Sequence, residues 1–139
     1  MTEIDIFYEG ELSTRCVHLD NGAIIHTDAP KDNRGKGELF SPTDFFSASL
    51  GSCLLTVMAI QAEKWNVDLK GARVNVKKEM VSGKERRVKK LCISFTCPAN
   101  PAVEIKKQLE EVARHCPVHR SIHPEIEQVF LFEWGKSEI

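Results

Sequence analysis

At 139 residues and 42% apolar content, the chain has the length of one domain and enough apolar side chains for one core. Its 19 basic and 20 acidic residues leave a net charge of -1 without any block of like charge, which argues against a nucleic-acid or anionic-lipid surface. No uninterrupted apolar run approaches the roughly 20 residues that span a bilayer. The acidic start Met1-Thr2-Glu3-Ile4-Asp5 lacks the marks of a secretory signal, so the expectation is no membrane partner and a cytoplasmic location.

Residues 4–8, 13–19 and 23–27 alternate or are β-prone, with Glu9-Gly10 and Asp20-Asn21-Gly22 as turns, and predict an antiparallel meander. Asp28 to Phe40 is rich in Pro, Gly, Asp and Asn without an apolar period and predicts a loop, long enough for a functional role. Ser41-Pro42-Thr43-Asp44 is a helix start, with Ser41 as N-cap, Pro42 at the first helical position and an acid three residues after the cap. The predicted helix runs to about Trp65 and has no continuous polar face before Gln61, so it should be buried on all sides. A small sheet covers one side of such a helix, and a second copy of the chain is the natural cover for the other.

Arg73 to Val81 and Arg86 to Thr96 alternate as a second hairpin around Ser82-Gly83-Lys84-Glu85. A helix from about Ala102 to His115 follows, with Val103, Leu109, Val112 and Ala113 as its expected buried stripe and Lys106, Lys107, Glu110 and Glu111 outside. Cys116 stands before Pro117, which stops the helix. A turn-like segment from Pro117 to Pro124 leads to a last strand at Glu127 to Trp134. The order β-β-β-α-β-β-α-β predicts an α+β fold, antiparallel sheets with two main helices, in a single domain over residues 1–139.

Five cysteines are an odd number, and a reducing compartment argues against a permanent disulfide framework. Apolar burial, metal ligation and redox chemistry remain. Cys53 lies in Ser47-Ala48-Ser49-Leu50-Gly51-Ser52-Cys53-Leu54, where Gly51 costs the helix about 1 kcal/mol relative to Ala, a cost tolerated where something approaches the backbone closely. Taken alone, Cys53 also reads as a small buried hydrophobe. It lies far beyond the first helical turn, out of reach of the helix dipole, so a reactive thiolate there needs a cation from elsewhere. Arg15 in the meander and Arg34 in the loop are the candidates, each also readable as a solvated charge.

Cys116 has Arg114, His115, His119 and Arg120 around it, a setting that favours a thiolate and some exposure. The same stretch offers a metal reading, since Cys116, His119 and His123 have ligand-like spacing and Cys92 and Cys97 are available to complete a set. Against it, Cys92 and Cys97 lie on an alternating strand and its edge rather than in a tight knuckle. Cys92 reads as core-facing or as a plain surface position, and Cys16 and Cys97 read as structural.

The segments SPTDFFSASLGSC at 41–53 and HCPVHRSI at 115–122, with the approach TDAP and GELFSPTD within 27–44, resemble the OsmC/Ohr family of hydroperoxide-resistance proteins over nearly the whole chain. The resemblance implies an intertwined homodimer with two long helices packed centrally between sheets and an active site at the subunit interface. It implies a peroxidatic first cysteine, here Cys53, a resolving second cysteine, here Cys116, and a thiolate-stabilising arginine from the N-terminal strands, best matched by Arg15. A glutamate that pairs with this arginine in the family is replaced by Thr43, and Asp44 and Glu38 are the nearby acids.

The implied activity is a thiol-dependent peroxidase that reduces organic hydroperoxides through a Cys53 sulfenic acid. It is recycled by an external dithiol or small-thiol reductant and needs no metal, flavin or haem. Phe45 and Phe46 beside an apolar helix favour organic peroxides as substrates. Two alternatives stand beside it: a redox-sensing or small-ligand-binding module with little turnover, motivated by Thr43, and a structural zinc protein built on Cys116, His119 and His123.

Overall fold

The computed structural model describes residues 1–137, and the chain forms two compact units, the first ending at Phe46 and the second beginning at Ser47. In the first unit, β1 (Ile4–Gly10), β2 (Ser13–His18) and β3 (Ile24–Asp28) form the expected antiparallel meander in that order. Tyr8 pairs with Thr14 and Gly10 with Ser13, which leaves Glu9 as the extra residue of a β-bulge. The turn between these strands holds Glu11 and Leu12 at φ 53° and 61°. Two left-handed residues in succession match the twist of a two-residue hairpin, but each L-residue there costs about 1–2 kcal/mol.

The predicted loop after β3 contains one short 3-10 helix, Lys31–Asn33, and is fastened to the meander through the buried Asp28. Asp28 accepts hydrogen bonds from Ser13 Oγ and from the Glu38 backbone N–H, and its own N–H donates to Phe40 O. The Ser13 hydroxyl holds the Asp28 carboxyl below the ordinary carboxylate range. Burial opposes this, while the Glu38 and Leu39 N–H groups and the Lys36 charge reinforce it.

Helix α1 (Pro42–Ala62) begins as the sequence predicts. The Asp44 N–H donates to Ser41 Oγ at 3.1 Å and the Ser41 N–H to Asp44 Oδ2 at 3.0 Å, a reciprocal capping box. A single 3-10 turn, Glu63–Trp65, tightens its end, and Asn66 closes it at φ 53°. Ser47, Leu50, Gly51, Leu54, Met58 and Ala62 form one buried stripe. The helix is therefore not covered all round within the chain, because Leu55 and Val57 are only half-buried and Ile60 is 62% exposed.

With its last turn, Pro42–Trp65 spans 24 residues and holds an 18-residue window of mean hydropathy 1.6, long and apolar enough by length and composition to cross a bilayer. A reading based on uninterrupted apolar runs does not anticipate this, because scattered Ser and Thr break the runs without lowering the mean. A core helix has the same composition, and Leu50, Leu54 and Met58 belong to the core of the second unit.

That core lies on one face of a sheet ordered β4-β5-β6, with β4 at Arg73–Met80, β5 at Val88–Cys97 and β6 at Glu127–Trp134. The hairpin β4-β5 is antiparallel, but β6 joins β5 in parallel, so this sheet is mixed. The connection carries α2 (Val103–Ala113) and a five-residue helix α3 (Pro117–Ser121), enough chain to return to the starting end of β5. Leu91, Ile93, Phe95 and Cys97 are buried on β5, and Leu109 and Ala113 of α2 join them. Each such Leu, Ile or Phe stabilises the fold by about 1.5–3 kcal/mol.

Val103, expected in the buried stripe of α2, is 57% exposed, while Ile105 is half-buried and packs on the core. Val103 stands about 180° around the helix from Val112, which the 3.6-residue period makes unavoidable.

Candidate active site

Cys53 borders the buried stripe of α1, one residue before Leu54, and is half-buried. Cys116 is extended between α2 and α3, as Pro117 requires of the residue before it, and caps α3 by accepting the His119 N–H on Sγ at 3.4 Å. The fold brings these two distant positions together: Cys53 lies near enough to Cys116 to raise the pKa of its thiol, and both cysteines are free.

Burial pushes the Cys116 thiol up from its ordinary value. The neighbouring Cys53 side chain acts in the same direction, against the His119 and Val118 N–H groups.

The expectation of an exposed, thiolate-prone Cys116 is thus corrected, since the residue is 1% exposed and burial raises its pKa. The basic neighbours are engaged elsewhere. Arg114 stacks over Phe132 at 5.0 Å and Phe130 at 5.9 Å, and His115 Nε2 meets Glu111 Oε1 at 3.0 Å. Arg120 Nε donates to His115 O at 3.0 Å, and His119 Nδ1 lies 2.6 Å from Gln128 Oε1. Adjacency in sequence did not place positive charge on the sulfur.

Among the described residues no three His, Cys, Asp or Glu side chains gather as a metal site. His123 Nδ1 accepts the Glu125 N–H at 3.1 Å, and Cys92 and Cys97, five positions apart on β5, point to opposite faces of the sheet. Cys97 is fully buried, which raises its pKa. Cys16, on β2, lines an apolar cavity of about 280 Å³ with Ile4, Ile6, His18, Ile25 and Phe45.

A family model described as OsmC-like protein matches residues 35–128. The chain belongs to the OsmC/Ohr family. A protein of Psychrobacter arcticus 273-4, whose name proposes an osmotic-stress-induced detoxification response, is 40% identical, covers 96% of both chains and superposes with a TM-score of 0.90. An organic hydroperoxide resistance protein OsmC of Legionella pneumophila is 13% identical with a TM-score of 0.73, each chain covered to 96%. The organic hydroperoxide resistance protein OhrB of Bacillus subtilis is 11% identical with a TM-score of 0.67, over 96% of this chain and 98% of that one, and at such identities the likeness concerns the fold. No curated protein matches the chain.

For an OsmC family member the surroundings of Arg15 and Thr43 are informative. Thr43 lies in the first turn of α1, its hydroxyl 3.3 Å from Ser41 Oγ, and the Asp44 carboxylate caps the same turn. Arg15, on β2, is paired with Glu9 instead, Nε to Oε1 at 3.0 Å, and its guanidinium lies over the Phe7 ring at 4.4 Å. Glu9 was not anticipated: in sequence it reads as turn punctuation, and its ion pair with Arg15 exists only once β1 and β2 are side by side. Arg34 is exposed, at φ 70° after the 3-10 turn.

Proposed function

We propose that this OsmC family protein is a thiol-dependent peroxidase for organic hydroperoxides, with Cys53 as the attacking thiol, Cys116 as the resolving thiol and Arg15 as the cation that favours the Cys53 thiolate. The observation that carries the reading is the neighbouring pair of free cysteines, Cys53 half-buried and Cys116 buried with its thiol pKa raised. A protonated Cys116 does not compete for peroxide, since the thiolate is the reacting form.

In the proposed cycle the Cys53 thiolate attacks the terminal peroxide oxygen. The S–O bond forms, the O–O bond breaks, the alkoxide leaves as alcohol after taking a proton, and Cys53 becomes a sulfenic acid. Cys116 then attacks the Cys53 sulfur. The S–S bond forms, and the hydroxyl leaves as water with the Cys116 proton. A lipoyl-type or small-thiol donor reduces this disulfide through a mixed disulfide and is itself oxidised. No bound metal or organic cofactor enters the cycle.

The uncovered apolar face of α1 supports a homodimer in which a second copy covers it, with the active site at the interface. Phe45 and Phe46, each 37% exposed, suit an apolar peroxide substituent.

One equivalent of an alkyl hydroperoxide should convert the reduced protein to a Cys53–Cys116 disulfide, read as a linked peptide pair by mass spectrometry. An unlinked pair after oxidation overturns the two-cysteine cycle. Cys116→Ser, lacking the resolving sulfur, should carry Cys53 on to sulfinic acid in excess peroxide. Thr43 favours a second reading, a redox sensor with little turnover, which steady-state peroxide consumption with a dithiol separates from the first.

A further inference from the structure

An open cleft of about 710 Å³, lined only by residues of the second unit, lies beside Cys116 and has no part in the cycle written above. Two of its lining residues are tied to that cysteine. The His119 backbone N–H donates to Cys116 Sγ at 3.4 Å and the Arg120 N–H to Cys116 O at 3.0 Å, which keeps both within one turn of α3 from the sulfur.

The two imidazoles of the lining are already engaged. His115 Nε2 meets Glu111 Oε1 at 3.0 Å, and His119 Nδ1 lies 2.6 Å from Gln128 Oε1. An amide oxygen only accepts, so Nδ1 of His119 carries its hydrogen, and the other nitrogen of a neutral ring is an acceptor that does not suit an anion. Arg120 is the permanent cation of the cleft. Its Nε donates to His115 O at 3.0 Å, which anchors the guanidinium, and among the described residues its two terminal amino groups meet no acceptor. Those are the donors whose fork fits a carboxylate. The acid in the lining, Glu127, lies 4.0 Å from Lys90 Nζ, and the rest of the wall is apolar, formed by Ile122, Pro124 and Ile126.

We propose that this cleft docks the thiol reductant, and that the reductant it fits carries a carboxylate, held by Arg120, on a short apolar chain laid along Ile122, Pro124 and Ile126. The proposal rests on the Cys53–Cys116 disulfide of the reading above. A docked dithiol attacks that disulfide with one sulfur, so the S–S bond breaks and a mixed disulfide forms. Its second sulfur then closes the reductant's own disulfide, and its two thiol protons end on Cys53 and Cys116.

The competing explanation is an Arg120 that only fastens α3 to His115 O beside a solvated cleft. That role affects stability, and any rate change it causes falls equally on charged and neutral reductants. An anion dock changes their ratio.

The test makes the disulfide with diamide, so that docking is measured apart from any peroxide chemistry. Its reduction is followed with dihydrolipoate and with dihydrolipoamide, the same dithiol with a neutral amide for the carboxylate, each rate taken relative to that with a small free disulfide. We expect dihydrolipoate to be about fivefold faster at low ionic strength, near the top of what one exposed ion pair is worth, with the preference fading as salt rises. The preference should vanish in Arg120→Gln, persist in Arg120→Lys and grow in Glu127→Gln, with thermal unfolding measured for each. Equal rates in the unaltered protein, or a preference that survives Arg120→Gln, overturn the dock. The expected preference in a protein that consumes no peroxide leaves the dock standing and overturns the peroxidase alone. Failure of diamide to link Cys53 to Cys116 overturns both.

Discussion

Replacing Gly51 by alanine sets helix propensity against packing, and the structure allows the contest to be worked through. A Cβ at this position would stand 3.1 Å from Val76 Cγ2 and 3.2 Å from Val74 Cγ1, both closer than carbon atoms ordinarily approach. Alanine would stabilise α1 by about 1 kcal/mol through propensity. Overpacking costs about 1–3 kcal/mol, and the upper half of that range applies where the neighbours cannot turn aside. Valine side chains are stiff at χ1, and these two sit on a strand hydrogen-bonded to β5. The expected balance is a net destabilisation of about 1 kcal/mol, a fall in Tm of about 3 °C for a chain of this size. Thermal unfolding of the reduced protein at fixed concentration would measure it. The second substitution Val76→Ala should relieve the clash, so the double variant should be more stable than the two single changes predict by addition. A rise in Tm for Gly51→Ala alone would refute the reasoning, since it would mean that the sheet yields and glycine is not there for close approach.

Arg34→Met should leave the Cys53 alkylation profile unchanged while Arg15→Met moves it to higher pH, because Arg34 is an exposed loop residue and Arg15 is held by Glu9 and Phe7; a larger shift for Arg34 would place the activating charge on the loop. The Asp28 carboxyl, held below its unfolded value of about 3.9, contributes stability above that pH and loses it as pH falls through the lower folded value. Asp28→Asn should therefore remove part of the acid-side fall in the urea midpoint, and an acid limb identical to that of the unaltered chain would contradict this. Light scattering at low concentration should show a dimer, and a folded monomer of 15.7 kDa would leave the apolar outer face of α1 unexplained.

Local patterns in the sequence determined the elements. The Ser41–Asp44 box, the length of α1, the meander, the β4-β5 hairpin and the last strand at Glu127–Trp134 are all legible because capping and alternation act over a few residues. The motifs around Cys53 and Cys116 likewise marked the two thiols that the fold brings together. The parallel placement of β6 was not legible, because strand direction depends on where α2 and α3 return the chain. The proton affinity of Cys116 was misjudged for a related reason. Four basic residues beside it in sequence suggest a thiolate, but three-dimensional packing gives Arg114 to aromatic rings and His115 to a carboxylate and takes the sulfur out of water. Glu9 is the third case, since it meets Arg15 only once β1 and β2 are paired. Secondary structure follows from contacts between near neighbours, whereas the charge on a sulfur and the company of an arginine depend on desolvation and on groups that only tertiary folding brings within reach.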